Sequence, residues 1–145
     1  MITLISLSNP PNEKEIKFLY FLLKNRNASI SHNKLPPFED HRSFVLNHPY
    51  KTWNIVIKEN INIGAQYIGY DNTVGIHLLP EYVVYRREVI TKVLENFSPE
   101  PGISSLIPNQ FIFNVAVSDN DYVDDLLELG AEQIQLTFQF RKKDI

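Results

Sequence analysis

The apolar positions of this chain switch repeatedly between a period of two, which marks a half-buried strand, and a period near 3.6, which marks a helix with one buried face. ITLISLS, residues 2–8, alternates as a strand does. In the NPPNEKEIKFLYFLLKNRN that follows, Asn12 and Glu15 stand at capping-box spacing, and Ile16, Leu19, Tyr20 and Leu23 fall on one helical face. SISHNKLPP reads as a proline-bearing loop, and FEDHRSFVLNHP as a short second helix with Phe38, His41, Val45 and His48 near helical spacing. TWNIVIKE and INIGAQYIGYD meet around Glu59 and Asn60, a tight hairpin signal, and a turn at YDNT leads into TVGIHLLP. Three antiparallel strands in succession are expected there.

Val89, Ile90, Val93, Leu94 and Phe97 then form the stripe of a third, core-facing helix. SPEPGISSLIPNQ is a loop, and FIFNVAVS is a strand too apolar for an edge, so it is expected at the sheet centre. Ser118 with Asp121 can cap the helix NDYVDDLLEL, and Gly130 is placed to end it in a left-handed cap. EQIQLTFQF alternates cleanly and is expected as a last strand, half exposed. The expected order is β-α-α-β-β-β-α-β-α-β, an α/β fold in a single domain spanning residues 1–145, without repeats or linkers.

Composition narrows the function classes. With 43% of 145 residues hydrophobic, the chain can close one core without metals or disulfides. A net charge of -3 argues against general nucleic-acid binding, which needs a basic excess. The lack of cysteine excludes a disulfide scaffold and a thiolate metal site, and fits a cytosolic protein. MITLISLSNPPNEKE lacks the basic region and cleavage site of a signal peptide, and no apolar run reaches the ~18 residues of a membrane span. A cytoplasmic location is expected, with no membrane or nucleic-acid partner. His32, His41 and His48 make no metal site on spacing, since His41 and His48 lie two helical turns apart. Asp119, Asp121, Asp124 and Asp125 lack the glycine and terminal glutamate of a calcium loop and complement a helix dipole instead.

The element order, together with NVAVSDNDYVDDLLELGAEQIQLTFQF, resembles the GNAT fold of acyl-CoA N-acyltransferases over nearly the whole chain. That stretch is similar to the family's strand, capped helix, EKLGF turn and strand. Asn114 matches the asparagine of the strand, Gly130 the family's glycine, and Ala131 stands where an aromatic is usual. SISHNKLPPFEDHRSFVLNHPYKTWNIVIKENINIGAQYI also looks similar to bacterial enzymes that acetylate amino groups on nucleotide-linked sugars. The resemblance implies a mixed, mostly antiparallel sheet whose fourth and fifth strands are parallel and splayed, flanked by helices. It implies acetyl-CoA or another acyl-CoA as co-substrate and a small-molecule amine as acceptor, and it allows a homodimer. Pantetheine would enter the gap as a substitute strand, pairing with backbone near Ile76, Leu78 and Leu79. The pyrophosphate would sit at the third helix's N-terminus, near Tyr85, Arg86 and Arg87, with Asn114 at the cleft.

The chain departs from that family at three points. The phosphate loop Arg/Gln-x-x-Gly-x-Gly/Ala needs glycine so that backbone can approach the phosphates, yet this sequence has EYVVYRRE. Arg86 and Arg87 oppose the helix dipole. Either an anion belongs there, or Glu81 and Glu88 neutralise them. The tyrosine that protonates the leaving thiolate aligns with Leu126, leaving Tyr122 one turn earlier as a substitute or as a surface tyrosine. The proton-relay glutamate aligns with Thr73. His77 is the candidate base, against a half-buried histidine bonded to a neighbour. His41, Trp53 and Tyr67 are candidates for substrate contact, against a solvated helix histidine and core aromatics. Two functions follow: direct attack of a primary amine, an amino sugar among the candidates, on acyl-CoA in a ternary complex, or a degenerate domain that binds or assembles without turnover.

Overall fold

The computed structural model describes residues 1–26 and 34–141. The order is β1 (Ile2–Ser6), α1 (Glu13–Lys24), α2 (Phe38–Leu46), β2 (Thr52–Lys58), β3 (Ile61–Ile68), β4 (Thr73–Leu78), a 3-10 helix (Pro80–Tyr85), α3 (Arg86–Asn96), β5 (Ile112–Phe113) and α4 (Asn120–Glu128). The strands lie in the sheet in chain order, β1-β2-β3-β4-β5. The first three pairings are antiparallel and β4 with β5 is parallel.

Local chemistry explains most boundaries. Asn12 caps α1 by accepting from the Glu15 N–H at 2.9 Å, while the Glu15 carboxylate accepts from the Asn12 N–H at 2.8 Å. The β2–β3 turn places Glu59 at φ +49° and Asn60 at φ +66°, the double left-handed geometry that matches strand twist in a two-residue hairpin. α4 is capped by Asp119, which accepts from the Tyr122 N–H at 3.2 Å, rather than by Ser118. It ends as expected at Gly130, whose φ of +96° closes a paired set of bonds: Gly130 N–H to Leu127 and Ala131 N–H to Leu126.

The sheet separates two cores. Val56, Ile68, Val74 and Ile76 pack against Val89, Ile90 and Val93 of α3 and Tyr122 and Leu126 of α4. Ile55, Ala65 and Leu79 pack against Ile16, Leu19 and Leu22 of α1 and Val45 of α2. Two expectations fail. FIFNVAVS contributes only two paired residues and lies at the sheet edge, and EQIQLTFQF forms no strand among the described residues. Among the described residues no strand pairs with the outer edge of β5. His32 and most of the SISHNKLPP loop lie outside the described residues.

Candidate functional site

β4 and β5 pair at only two positions, Thr73 with Ile112 and Val74 with Phe113, and then part. From Gly75 onward β4 keeps its β3 partner, up to Leu78 opposite Gly64, and has no strand partner on the other side among the described residues. Backbone direction alternates along a strand. The Thr73 carbonyl accepts from Gly69 N–H, and Leu79 N–H donates to the Ile63 carbonyl, so odd positions bond towards β3. Even positions face the opening: the amides and carbonyls of Ile76 and Leu78 point into the gap. Leu79 does not, because its N–H is spent on Ile63 and its side chain is buried beneath α1. Asn114 is the first residue beyond the last β5 pair and is exposed.

Asn72 fixes where this gap begins. It is fully buried, with φ +69°. Its side-chain amide donates to the carbonyls of Glu100 (3.0 Å) and Pro108 (2.8 Å), its side-chain oxygen accepts from Glu100 N–H at 2.7 Å, and its own carbonyl receives Ile112 N–H. One residue thus ties the β3–β4 turn to the long loop that delivers β5. The sequence marks YDNT as a turn but gives no sign of this long-range role.

The sheet face beside the gap is aromatic. A Cβ on Gly75 would lie 2.0 Å from the Tyr67 ring, so that ring lies across β4 because Gly75 has no side chain. Tyr67 stacks on Tyr50 with centroids 4.0 Å apart, and Tyr50 meets Trp53 and His48. Burial raises both tyrosine pKa values, Tyr50's to about 12. Both therefore stay neutral at physiological pH.

His77 sits on the same strand, its ring edge-on to Tyr67 at 6.5 Å. Its residue surface is exposed, while surrounding protein and then Arg26 lower its pKa. Solvent reaches its surface, while protein atoms fill much of its surroundings. Its imidazole makes no hydrogen bond among the described residues, so it is not the neighbour-bonded histidine of the alternative reading. The lowered pKa keeps the imidazole neutral at pH 7, with a ring nitrogen lone pair available.

His41 is a correction. It is 4% exposed, and its Nε2–H donates to the Ile16 carbonyl at 3.0 Å between α1 and α2. Tyr20 and Phe38 flank its ring, so it belongs to the helix packing and does not reach a substrate surface.

The start of α3 differs from an open anion site. The 3-10 helix runs directly into it, so Tyr82 N–H donates to Leu79 and Arg86 N–H to Val83, consuming amides that a phosphate would need. Tyr85 is half-buried, with the Lys58 ammonium 4.5 Å above its ring. Lys58 is a cation near this turn that the sequence pattern does not single out.

The arginines are neutralised by α4, not by Glu81 and Glu88. Arg86 Nε donates to Asp125 Oδ2 at 2.9 Å, and Arg87 Nε to Asp125 Oδ1 at 2.8 Å. Glu88 instead accepts from the Ile2 N–H at 3.2 Å. The Arg86 side chain is 9% exposed and lies 4.4 Å over the Tyr122 ring, whereas that of Arg87 is 51% exposed. Tyr122 is therefore buried rather than a surface residue. Burial pushes its phenol far up, with Arg86 opposing and Tyr67, Asp119 and Asp125 adding to the rise. A phenol so held is a neutral hydrogen-bond donor and a poor source of protons for a thiolate.

Solved structures resemble this arrangement across the whole chain. One of aminoglycoside N-acetyltransferase AAC(6')-Iy in complex with CoA is 14% identical, covers 99% of this chain and 96% of its own, and has a TM-score of 0.61. Another of the same enzyme, with the bisubstrate analogue CoA-S-monomethyl-acetylneamine, is 13% identical at 99% coverage of both chains, with a TM-score of 0.58. A possible acetyltransferase from Clostridium difficile 630 is 10% identical at 99% coverage of both, with a TM-score of 0.54. The fold is that of the GNAT acyltransferases. Neither a protein-family profile nor a curated protein sequence matches the chain.

Within the GNAT fold, the parallel fourth and fifth strands and their divergence are all present. Two open surface concavities lie elsewhere, one lined by Arg87, Asp124, Leu127 and Glu128, the other by Lys17, Tyr20, Phe21, Lys24 and Phe38. Among the described residues no group of His, Asp and Glu is placed to hold a metal. No helix among them is long and apolar enough to cross a membrane.

Proposed function

We propose that this protein transfers an acyl group from acyl-CoA to a primary amine by direct attack in a ternary complex. The observation that carries the reading is the parting of β4 from β5 after Val74 and Phe113, which leaves Ile76 and Leu78 backbone groups facing an unfilled strand position. An acyl-CoA pantetheine arm carries two amides and can occupy such a position by strand addition. The known GNAT structures with CoA bound support it as the ligand.

In this reading the β4 backbone holds the thioester, an Ile76 or Leu78 amide polarises its carbonyl, and His77 accepts the ammonium proton. The nitrogen lone pair attacks the carbonyl carbon, the carbon–sulfur bond breaks, and the nitrogen's second surplus proton passes through water to the departing sulfur, which leaves as the CoA thiol. Tyr122 donates a hydrogen bond to the departing thiolate without surrendering its proton. Trp53 and Tyr67 border the acceptor through their aromatic faces. Asn114 lines the mouth of the gap. Arg87, half exposed, together with Lys58 and Tyr85, meets the phosphates, and Arg86 contributes through its hold on Asp125. An amino sugar remains a candidate acceptor.

Release of CoA thiol from acetyl-CoA across a panel of primary amines tests this, and the cysteine-free chain adds no thiol background. The expected result is amine-dependent release that falls about 100-fold or more in His77→Gln. A second reading, binding without turnover, is favoured by the occupied amides at the 3-10 junction. Calorimetry separates the two: heat with acetyl-CoA but no thiol release with any amine supports the second. The absence of heat at millimolar acetyl-CoA and low salt removes the acyl-CoA site altogether.

A further inference from the structure

An aromatic ring from the neighbouring strand stands over the inner end of the β4–β5 gap. Tyr67 and Gly75 are register partners across β3 and β4. A Cβ on Gly75 would meet Tyr67 Cε2 at 2.0 Å, Cζ at 2.3 Å and Cδ2 at 2.7 Å. The carbon that bears the hydroxyl has therefore crossed the about 4.8 Å between strands. The phenol edge stands at the first β4 residue beyond the paired Thr73 and Val74. Tyr50 holds the ring there, stacked on it at 4.0 Å and 13°. Trp53, which pairs with Tyr67 across β2 and β3, meets Tyr50 edge-on at 5.0 Å.

Three sides of this inner end are thereby set. Val74 paired with Phe113 ends the slot. Tyr67 shares a face of β3 with Ala65, and so covers the slot from the side of α1 and α2. Tyr122 approaches from the opposite side, within the core of α3 and α4. Tyr67 adds to the rise of the Tyr122 pKa, so the two phenols lie near one another across the sheet. They are not equally movable. Tyr122 is 8% exposed and packed under the Arg86 guanidinium, whereas Tyr67 is half-buried and held by Gly75 and the Tyr50 stack.

The direction of the ligand decides what meets Tyr67. On the acyl-transfer reading, on which this inference rests, the phosphates lie at the α3 end of β4, beyond Leu78. The pantetheine arm runs from there past Leu78 and Ile76, and the acyl group comes last, at Gly75. We propose that Tyr67 fixes the length of the acyl group that this protein accepts: an acetyl group ends at the phenol edge, and each further methylene must displace the ring. Displacing it breaks the Tyr50 stack and uncovers Gly75. A longer chain therefore gains its own burial only by undoing burial of similar size. Tyr50 acts through Tyr67, as a positioning residue.

Calorimetry with CoA, acetyl-CoA, butyryl-CoA and hexanoyl-CoA tests this, because binding reads chain length whether or not an amine is turned over. Wild type should bind butyryl-CoA about tenfold more weakly than acetyl-CoA. Tyr67→Ala should invert the order, each added methylene then gaining about fourfold in affinity. Tyr67→Phe should keep the wild-type order, because the ring and not its hydroxyl fills the space. Tyr50→Ala removes the stack, leaves the ring, and should shrink the difference between acetyl-CoA and butyryl-CoA. That variant decides the question where circular dichroism shows Tyr67→Ala to be unfolded. Equal binding of acetyl-CoA and hexanoyl-CoA by wild type overturns the proposal, as does a folded Tyr67→Ala that weakens every acyl-CoA alike. Both of those results leave the acyl-CoA site standing. No heat with any of the four compounds removes that site and the proposal together.

Discussion

Replacing Arg86 by methionine separates a structural arginine from a phosphate ligand. The change keeps most of the volume and removes the charge from a side chain 9% exposed, bonded to an Asp125 side chain 16% exposed. Breaking a buried ion pair by removing one partner costs about 3–5 kcal/mol, largely because the remaining charge is stranded. Asp125 is not wholly stranded here, since Arg87 still donates to its other oxygen at 2.8 Å. The Tyr122 ring loses a cation 4.4 Å from its centroid, a contact worth about 1–2 kcal/mol when desolvated. Methionine recovers part of this by packing on the ring. The net expectation is a loss of about 2–4 kcal/mol in urea unfolding followed by circular dichroism, as α3 and α4 lose their connection. Arg87→Met should leave stability unchanged within error, because its pair is exposed on one side, and should weaken acetyl-CoA binding, most of all at low salt. If Arg86→Met unfolds like wild type and loses acetyl-CoA affinity instead, the clamp argument is wrong and the phosphate role returns to Arg86.

Three further outcomes are expected. Burial lowers the pKa of His41, His48 and His77 below 6.5, so the unfolded state binds more protons as pH drops through that value. Stability should be complete above about pH 6.5 and fall on acidification; equal urea midpoints at pH 7.5 and 5.5 would contradict this. Gly75→Ala puts a methyl group into the Tyr67 ring and should cost about 1–3 kcal/mol while changing the near-ultraviolet dichroism of the Tyr50–Tyr67 stack. An unchanged spectrum would show that the ring does not lie across β4. Glu59→Gly relieves a left-handed residue and should gain about 0.5–1 kcal/mol, read as a higher urea midpoint; a loss would mean that the turn is not held at φ +49°.

Features set by neighbours in the chain were legible from the sequence. The Asn12–Glu15 box, the Glu59–Asn60 hairpin and the Gly130 cap each depend on residues within about five positions of one another; of the expected α3 stripe Val89, Ile90 and Val93 are buried, while Leu94 is 50% exposed. The site was less legible because its determinants are distant. Asp125 reaches Arg86 across 39 positions, and Asn72 reaches Pro108 across 36. His41 shows the limit of periodicity: helical spacing marks it as sharing a face with Val45, but not that a carbonyl of α1 waits opposite it. Apolar FIFNVAVS reads as a central strand, yet only Ile112 and Phe113 pair and the strand lies at the sheet edge, because apolarity reports burial and not which element provides it.

The two halves of an acyl-CoA site place unequal demands on sequence, which accounts for what this chain has kept. Strand addition uses backbone groups that every residue supplies, so the β4–β5 gap survives any side chains that preserve the sheet. Close approach to a pyrophosphate requires positions without a Cβ, and Val83, Val84 and Tyr85 remove that possibility. Once the glycines are absent, a 3-10 turn can close over the helix start and satisfy its amides internally, as Arg86 N–H does with Val83. The arginines are then no remnant of a phosphate loop. One is drawn into the α3–α4 contact, and the other stays at the surface with its charge half shared. Any affinity for acyl-CoA must come mainly from the pantetheine arm, with the phosphates held by exposed and salt-screened cations. Dephospho-CoA and CoA should therefore bind more nearly alike at high salt than at low salt, and a phosphate preference that persists undiminished at high salt would show a buried anion site that this geometry lacks.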